Sequence, residues 1–150
     1  WNAPAPARAE AGESIGITLY EQILVERGDI ISHISDAPLT SSNIYANIFW
    51  LGNKHLVTGR AYVLKLATQE ITCNVKSIIS VVDSVTLNTI PHVTEVAKNE
   101  VAKVCFALKK PLSFDVLSKI VETGRFVIVD DYDVAGGGIV LAHEEPTFDI

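Results

Sequence analysis

Glu70-Ile71-Thr72-Cys73-Asn74-Val75-Lys76 alternates polar and apolar side chains without a break. Side chains of a strand point to opposite faces in turn, so this stretch presents Ile71, Cys73 and Val75 inward and Glu70, Thr72, Asn74 and Lys76 to water. Its continuation, Ser77 to Val82, is apolar on both faces, as expected of a long strand that passes under a neighbouring domain. Upstream, Tyr62, Leu64 and Leu66 share one face of a strand over Arg60–Leu66, and Asn43–Leu51 sets Ile44, Ala46, Ile48 and Trp50 against Tyr45, Asn47, Phe49 and Leu51. Gly52-Asn53-Lys54 is a turn between them. Downstream, Val104, Phe106 and Leu108 oppose Lys103, Ala107 and Lys109. Phe126–Val129 and Ala135–Leu141 form a hairpin joined by the acidic tip Asp130-Asp131-Tyr132-Asp133.

No segment carries a sustained helical period. Val116–Glu122 is one helical turn or a loop, and Thr86–Lys98, with Pro91 and His92, is an irregular stretch. Many short strands, frequent turns and no periodic helix predict an all-β fold, a closed barrel or a sandwich. The Ala- and Pro-rich first eleven residues read as a surface segment, and residues 143–150 as a loose polar tail. Between them, Glu13–Leu19 (Ile15, Ile17 and Leu19 on one face), Ile23–Val25 and Ile30–Ile31 are expected strands, with a polar turn at Glu26-Arg27-Gly28-Asp29. Asp36-Ala37-Pro38 marks a domain boundary.

Composition bounds the function. The 150 residues are 48% hydrophobic and 20% charged, with no apolar run near the roughly 20 residues of a membrane-spanning helix. No signal peptide opens the chain, and Met is absent even at position 1, so we expect a cytoplasmic protein and a piece of a longer one. Cys73 and Cys105 both fall within strands, the placement of reduced core thiols in a cytosolic protein. A net charge of −6 with no basic run beyond Lys109-Lys110 argues against nucleic acid and anionic membranes as partners.

The chemical constellations are incomplete. His33, His55, His92 and His143 are scattered, with no metal-ligand spacing. The tip at Asp130–Asp133 lacks the glycine and the distal carboxylate of a calcium loop. Gly136-Gly137-Gly138 runs into the strand Ile139-Val140-Leu141 and not into a helix, so it allows a bulge or close packing and not a phosphate cradle. Neither cysteine has the neighbours of a nucleophile. Asp133-Val134-Ala135-Gly136 fits the DxxG pattern and Asn53-Lys54-His55-Leu56 starts like NKxD, but the latter lacks its Asp and their order is reversed. No Gly-Lys-Ser/Thr exists to hold nucleotide phosphates. We therefore expect no catalytic, cofactor-binding or metal-binding residue in this chain.

Two stretches, Ala11-Gly12-Glu13-Ser14-Ile15-Gly16-Ile17-Thr18-Leu19 and Val25-Glu26-Arg27-Gly28-Asp29-Ile30-Ile31, resemble the closing strands of domain II in translation-factor-like GTPases. The remainder of the chain resembles domain III of that superfamily, and within it the large GTPase subunit of bacterial sulfate adenylyltransferase. The resemblance is carried by Ile48-Phe49-Trp50-Leu51-Gly52, Tyr62-Val63-Leu64-Lys65-Leu66, Val82-Asp83 with Thr86-Leu87, and Lys98-Asn99-Glu100-Val101-Ala102. It continues through Lys110-Pro111-Leu112-Ser113-Phe114-Asp115, Thr123-Gly124-Arg125-Phe126-Val127-Ile128-Val129-Asp130 and Ala135-Gly136-Gly137-Gly138-Ile139-Val140. The chain departs from that pattern at Val116-Leu117-Ser118-Lys119 and at Tyr132-Asp133-Val134.

The resemblance implies a closed six-stranded antiparallel barrel of the domain III type over residues 38–142, preceded at 1–37 by the last strands of a domain II-like barrel and followed by the tail 143–150. It implies a non-catalytic module of a subunit that couples GTP hydrolysis to formation of adenylyl sulfate from ATP and sulfate. GTP and Mg would sit on a separate GTPase domain. The implied partners are that domain, domain II and the catalytic small subunit. The alternatives are a barrel of a translation-type GTPase that binds tRNA or the ribosome, and a stand-alone barrel with a small ligand. Strands at residues 13–33 without their own barrel are further expected to pair with the second barrel or with another copy, giving a homodimer.

Overall fold

The structure is a computed structural model that describes residues 7–82, 88–91 and 93–142. Nine strands occur among them: β1 Leu39–Trp50, β2 Leu56–Val57, β3 Ala61–Leu66, β4 Gln69–Val82, β5 Thr89–Pro91, β6 Glu95–Val96, β7 Val101–Phe114, β8 Arg125–Asp130 and β9 Asp133–Ala142. Six pair in the order β3-β8-β9-β1-β7-β4, and β4 returns to β3, so the sheet closes into an antiparallel barrel. The all-β, six-stranded expectation holds. β5 adds a short strand outside β4, and β2 pairs with β6 across one end.

Alternation explains the closure. Ile44, Ala46, Ile48 and Trp50 of β1 point inward beside Tyr62, Leu64 and Leu66 of β3, Ile71, Cys73 and Val75 of β4, and Val104, Phe106 and Leu108 of β7. Each large side chain taken from water contributes about 1.5–3 kcal/mol. The sheet therefore curls until its apolar face is filled from all sides. Trp50 meets Tyr62 edge-on at 5.6 Å, and Phe106 meets Phe126 at 6.0 Å. Trp50 also donates its Nε1 hydrogen to the Lys54 carbonyl at 2.8 Å, which satisfies the buried indole.

The two long strands bend where their register slips. β4 carries irregularities between Val75 and Ser77 and between Ile78 and Ser80. β7 runs five residues beyond the expected Lys109, through a break in pairing that holds Pro111, a residue with no hydrogen to donate. The turn Ala67-Thr68 joins β3 to β4, and Asp131-Tyr132 joins β8 to β9 with Asp131 at φ 56°. The 116–122 stretch resolves into a turn and the single helical turn α1, Val121–Gly124.

Two expectations need correction. Residues 86–98 are not wholly irregular, because β5 and β6 lie within them; residues 83–87 and 92 fall outside the described set. The stretches Glu13–Leu19, Ile23–Val25 and Ile30–Ile31 carry no strand. A strand is stabilised by the hydrogen bonds of a neighbour, and among the described residues no other strand lies alongside these. The one regular element described before β1 is a 3₁₀ turn, Ile34–Asp36. No helix among the described residues is long and apolar enough to cross a membrane.

Candidate interaction surfaces

The structure places most of the motif residues singled out in the sequence. His33 precedes the 3₁₀ turn, His55 lies 3.3 Å from Glu95, and His92 and His143 are outside the described residues. Among the described residues no group of three or more His, Cys, Asp or Glu is arranged to hold a metal ion. Cys73 and Cys105 are both free and buried, and burial pushes the Cys73 thiol up to about 12, far from a reactive thiolate. In the glycine run, a Cβ on Gly136 would lie 3.0 Å from the Trp50 ring, and one on Gly138 would lie 2.6 Å from the tip of Phe126. Those two glycines make room for core aromatics, as close packing requires.

The two GTPase-like fragments do meet in space. Asn53, Lys54, Asp133, Val134 and Ala135 line one cleft of 320 Å³, with Asp130 and Asp131 on its rim. Asn53, Lys54, Asp130 and Asp131 are each paired within the chain. Lys54 Nζ reaches Asp131 at 3.4 Å, Asn53 Oδ1 accepts from Lys98 at 2.8 Å, and Asp130 accepts from Arg60, which also stacks over Tyr62. The floor is set by the bulged Ala135, whose carbonyl accepts from both Leu51 N and Gly52 N at 2.8 Å. These contacts tie loop to loop.

The arm before the barrel is different. Every described side chain from residue 7 to 27 is exposed, including Ile15, Ile17, Leu19, Ile23, Leu24 and Val25. The arm touches the barrel at its Arg27-Gly28 turn, where Gly28 packs over Gln69. Gln69 in turn exchanges two hydrogen bonds with the Ser113 backbone, at 2.7 and 3.2 Å. Leu19, Ile23 and Val25 line a 500 Å³ hollow against Gln69, Pro111 and Ser113. Exposed apolar surface of this extent marks a site of protein contact.

A charged clasp holds the junction between arm and barrel. Lys119 Nζ lies 2.7 Å from Asp36 and 3.1 Å from Asp115. Asp115 is buried and also accepts from Thr123 Oγ1 at 2.8 Å. The hydrogen bond to Lys119 holds the Asp36 carboxyl below its ordinary value, and bonds to Asp36 and Asp115 hold the Lys119 ammonium above its own.

Comparison with known proteins places this geometry. The family model described as GTP-eEF1A C-terminal domain-like matches residues 43–141. Sulfate adenylyltransferase subunit 1 of Francisella tularensis subsp. novicida is 36% identical over 135 residues, spanning 89% of this chain and 28% of that protein. The subunit 1 of Aeromonas hydrophila subsp. hydrophila is 31% identical over 132 residues, spanning 87% and 28%. This chain thus spans 28% of the length of these relatives. Among solved structures, Sup35 complexed with GDP superposes with a TM-score of 0.68 at 15% identity, covering 75% of this chain and 28% of that one. That likeness is one of fold.

Proposed function

The chain belongs to the GTP-eEF1A C-terminal domain-like family, and on that premise we propose that it is the non-catalytic barrel module of a sulfate adenylyltransferase subunit 1. One observation carries the proposal: nearly the whole chain aligns with subunit 1 proteins at up to 36% identity, yet covers 28% of their length, and that part folds as a barrel filled by its own side chains. In the longer protein, GTP hydrolysis drives adenylyl sulfate formation in the cytoplasm, and a second subunit carries out adenylyl transfer. GTP and its magnesium belong elsewhere in that protein. The residues here do not fit them, since the chain has no Gly-Lys-Ser/Thr and its NKxD-like stretch has no Asp.

Residues 1–37 then belong to the preceding domain II-like barrel, whose sheet they would complete in the longer protein, and residues 38–142 are the module itself. The exposed alternation of Ile15, Ile17 and Leu19 supports this, because a strand face of that kind is stable only against a matching sheet. The occupant of the arm's apolar face is the preceding segment of the same polypeptide. The barrel is a rigid spacer that holds this segment and the GTPase domain in a fixed relation.

Calorimetric titration of the purified chain with GTP and magnesium tests the proposal. The expected result is no heat of binding. Stoichiometric GTP binding contradicts it, and salt-sensitive retention of tRNA would favour a translation-type barrel instead.

A further inference from the structure

At one corner of the barrel the ladders part. Between β1 and β7 the pairing passes from Asn43–Ala107 directly to Ser41–Leu112, and the ladder with β4 ends at Cys73–Leu108. Lys109, Lys110 and Pro111 stand outside both ladders and are exposed. Gln69 bridges the gap: its carboxamide accepts from Ser113 N at 3.2 Å and donates to Ser113 O at 2.7 Å. A strand laid along this corner would meet Pro111, which has no N–H, and then a residue whose backbone groups are already bonded. The corner is thus built for contact through side chains, not for an added strand.

The arm supplies the facing wall. Its turn at Glu26–Asp29 is capped from within, Glu26 N donating to Asp29 Oδ2 at 2.8 Å and Asp29 N to the Glu26 carbonyl at 3.1 Å. Gly28 sits at φ 107°, and a Cβ there would come 3.2 Å from Gln69 Cγ, so glycine lets the turn rest on the corner. The 500 Å³ hollow lies between them, with Leu19, Ile23, Leu24 and Ile31 on the arm side and Pro111 on the barrel side. Ile23, Leu24 and Ile31 remain 59%, 87% and 72% exposed. Large apolar side chains gathered on one concave wall and left in water mark a surface that another segment covers.

Tethering selects that segment. In the longer protein proposed above, the preceding domain II-like segment is joined directly to the arm, and so to one wall of the hollow. A tethered neighbour has an effective concentration of about millimolar, an advantage that a partner arriving from solution lacks.

We propose that the hollow between the arm and the Gln69–Pro111 corner is the seat of the preceding domain II-like segment, which inserts apolar side chains there. This deepens the reading of residues 1–37 given above and rests on it. It adds a second mode of contact: the Ile15–Leu19 face joins that segment through its sheet, the barrel corner through side chains alone.

The test is thiol labelling with iodoacetamide, resolved by peptide mapping, of Pro111→Cys in this chain and in the longer subunit 1 polypeptide. Cys73 and Cys105 are buried, so the new thiol is the accessible one in this chain. It should label at the rate of a free thiol here and at least about tenfold more slowly in the longer polypeptide. Leu24→Asp places a charge on the arm wall where it is in water here, so it should leave this chain's melting temperature unchanged. In the longer polypeptide the same change should speed labelling of Pro111→Cys severalfold, because the seam would have to bury that charge. Equal labelling in both lengths means that the hollow stays open; the inference then falls, while the reading as a non-catalytic module, tested by GTP titration, stands. Slow labelling in the longer polypeptide that ignores Leu24→Asp, or slow labelling in this chain alone, overturns the inference as well.

Discussion

The arm and the barrel have similar sequence texture and opposite fates. Ile15-Gly16-Ile17-Thr18-Leu19 alternates nearly as well as Ile71-Thr72-Cys73-Asn74-Val75, yet the first is exposed throughout and the second lies within a strand bonded on both sides. Periodicity states which face a strand would bury; it does not supply the neighbour that buries it. β4 finds β3 and β7 within the chain, whereas the described part of the arm meets the barrel around Gln69, Pro111 and Ser113 and through the Asp36–Lys119 pair. Stability is therefore concentrated in the barrel, while the arm leaves its apolar side chains exposed.

The largest effect expected from this separation comes from Trp50. Replacing it by alanine removes the biggest buried ring and the Nε1 bond to Lys54, and should cost about 3–5 kcal/mol in denaturant unfolding. The same measurement after removing residues 1–32 should change stability by no more than about 0.5 kcal/mol, since the arm buries little against the barrel. A loss comparable to that of Trp50→Ala would mean that arm and barrel are not separate in stability.

Alkali gives a graded test. The Cys73 thiol titrates near 9 when unfolded and is pushed up to about 12 by burial, so the folded state keeps its proton longer. Its contribution is fully present below pH 9 and is lost as pH rises toward 12, at about 1.4 kcal/mol per unit between those values. Melting temperature followed across that window should fall, and Cys73→Ala should flatten the slope. The smallest effect belongs to the junction. Asp36→Asn leaves Asp115 paired with Lys119, so the barrel should melt unchanged while amides of Ile34–Ala37 exchange severalfold faster. Because the Asp36 carboxyl is held below its ordinary value, the clasp should weaken as pH falls through that lowered value.

The inward faces of β1, β3, β4 as far as Val75, β7 as far as Leu108 and the β8–β9 hairpin are legible in the sequence because each alternates over a buried set. β5 and β6 are not, since Thr89–Pro91 is exposed along its length and Glu95–Val96 offers a single buried side chain. In the arm, alternation predicts strands that the structure lacks, because it refers to a sheet that the described residues do not contain. The clasp is invisible in the sequence apart from the four-residue spacing of Asp115 and Lys119, because Asp36 joins them from far along the chain. The outer pairing of Phe49 with Gly137 is half legible. Alternation turns Phe49 outward, but only the pairing of β1 with β9 puts Gly137 beside it, and such register is not local information.

The division between a self-sufficient barrel and an arm that awaits its neighbour is open to hydrogen exchange, comparing this chain alone with the longer subunit 1 polypeptide proposed above, with its domain II-like segment. Amides of residues 13–33 should exchange freely in the chain alone and become protected in the longer protein, while the barrel amides are protected in both. Protection of the arm in the chain alone, or its continued absence in the longer protein, would contradict that division.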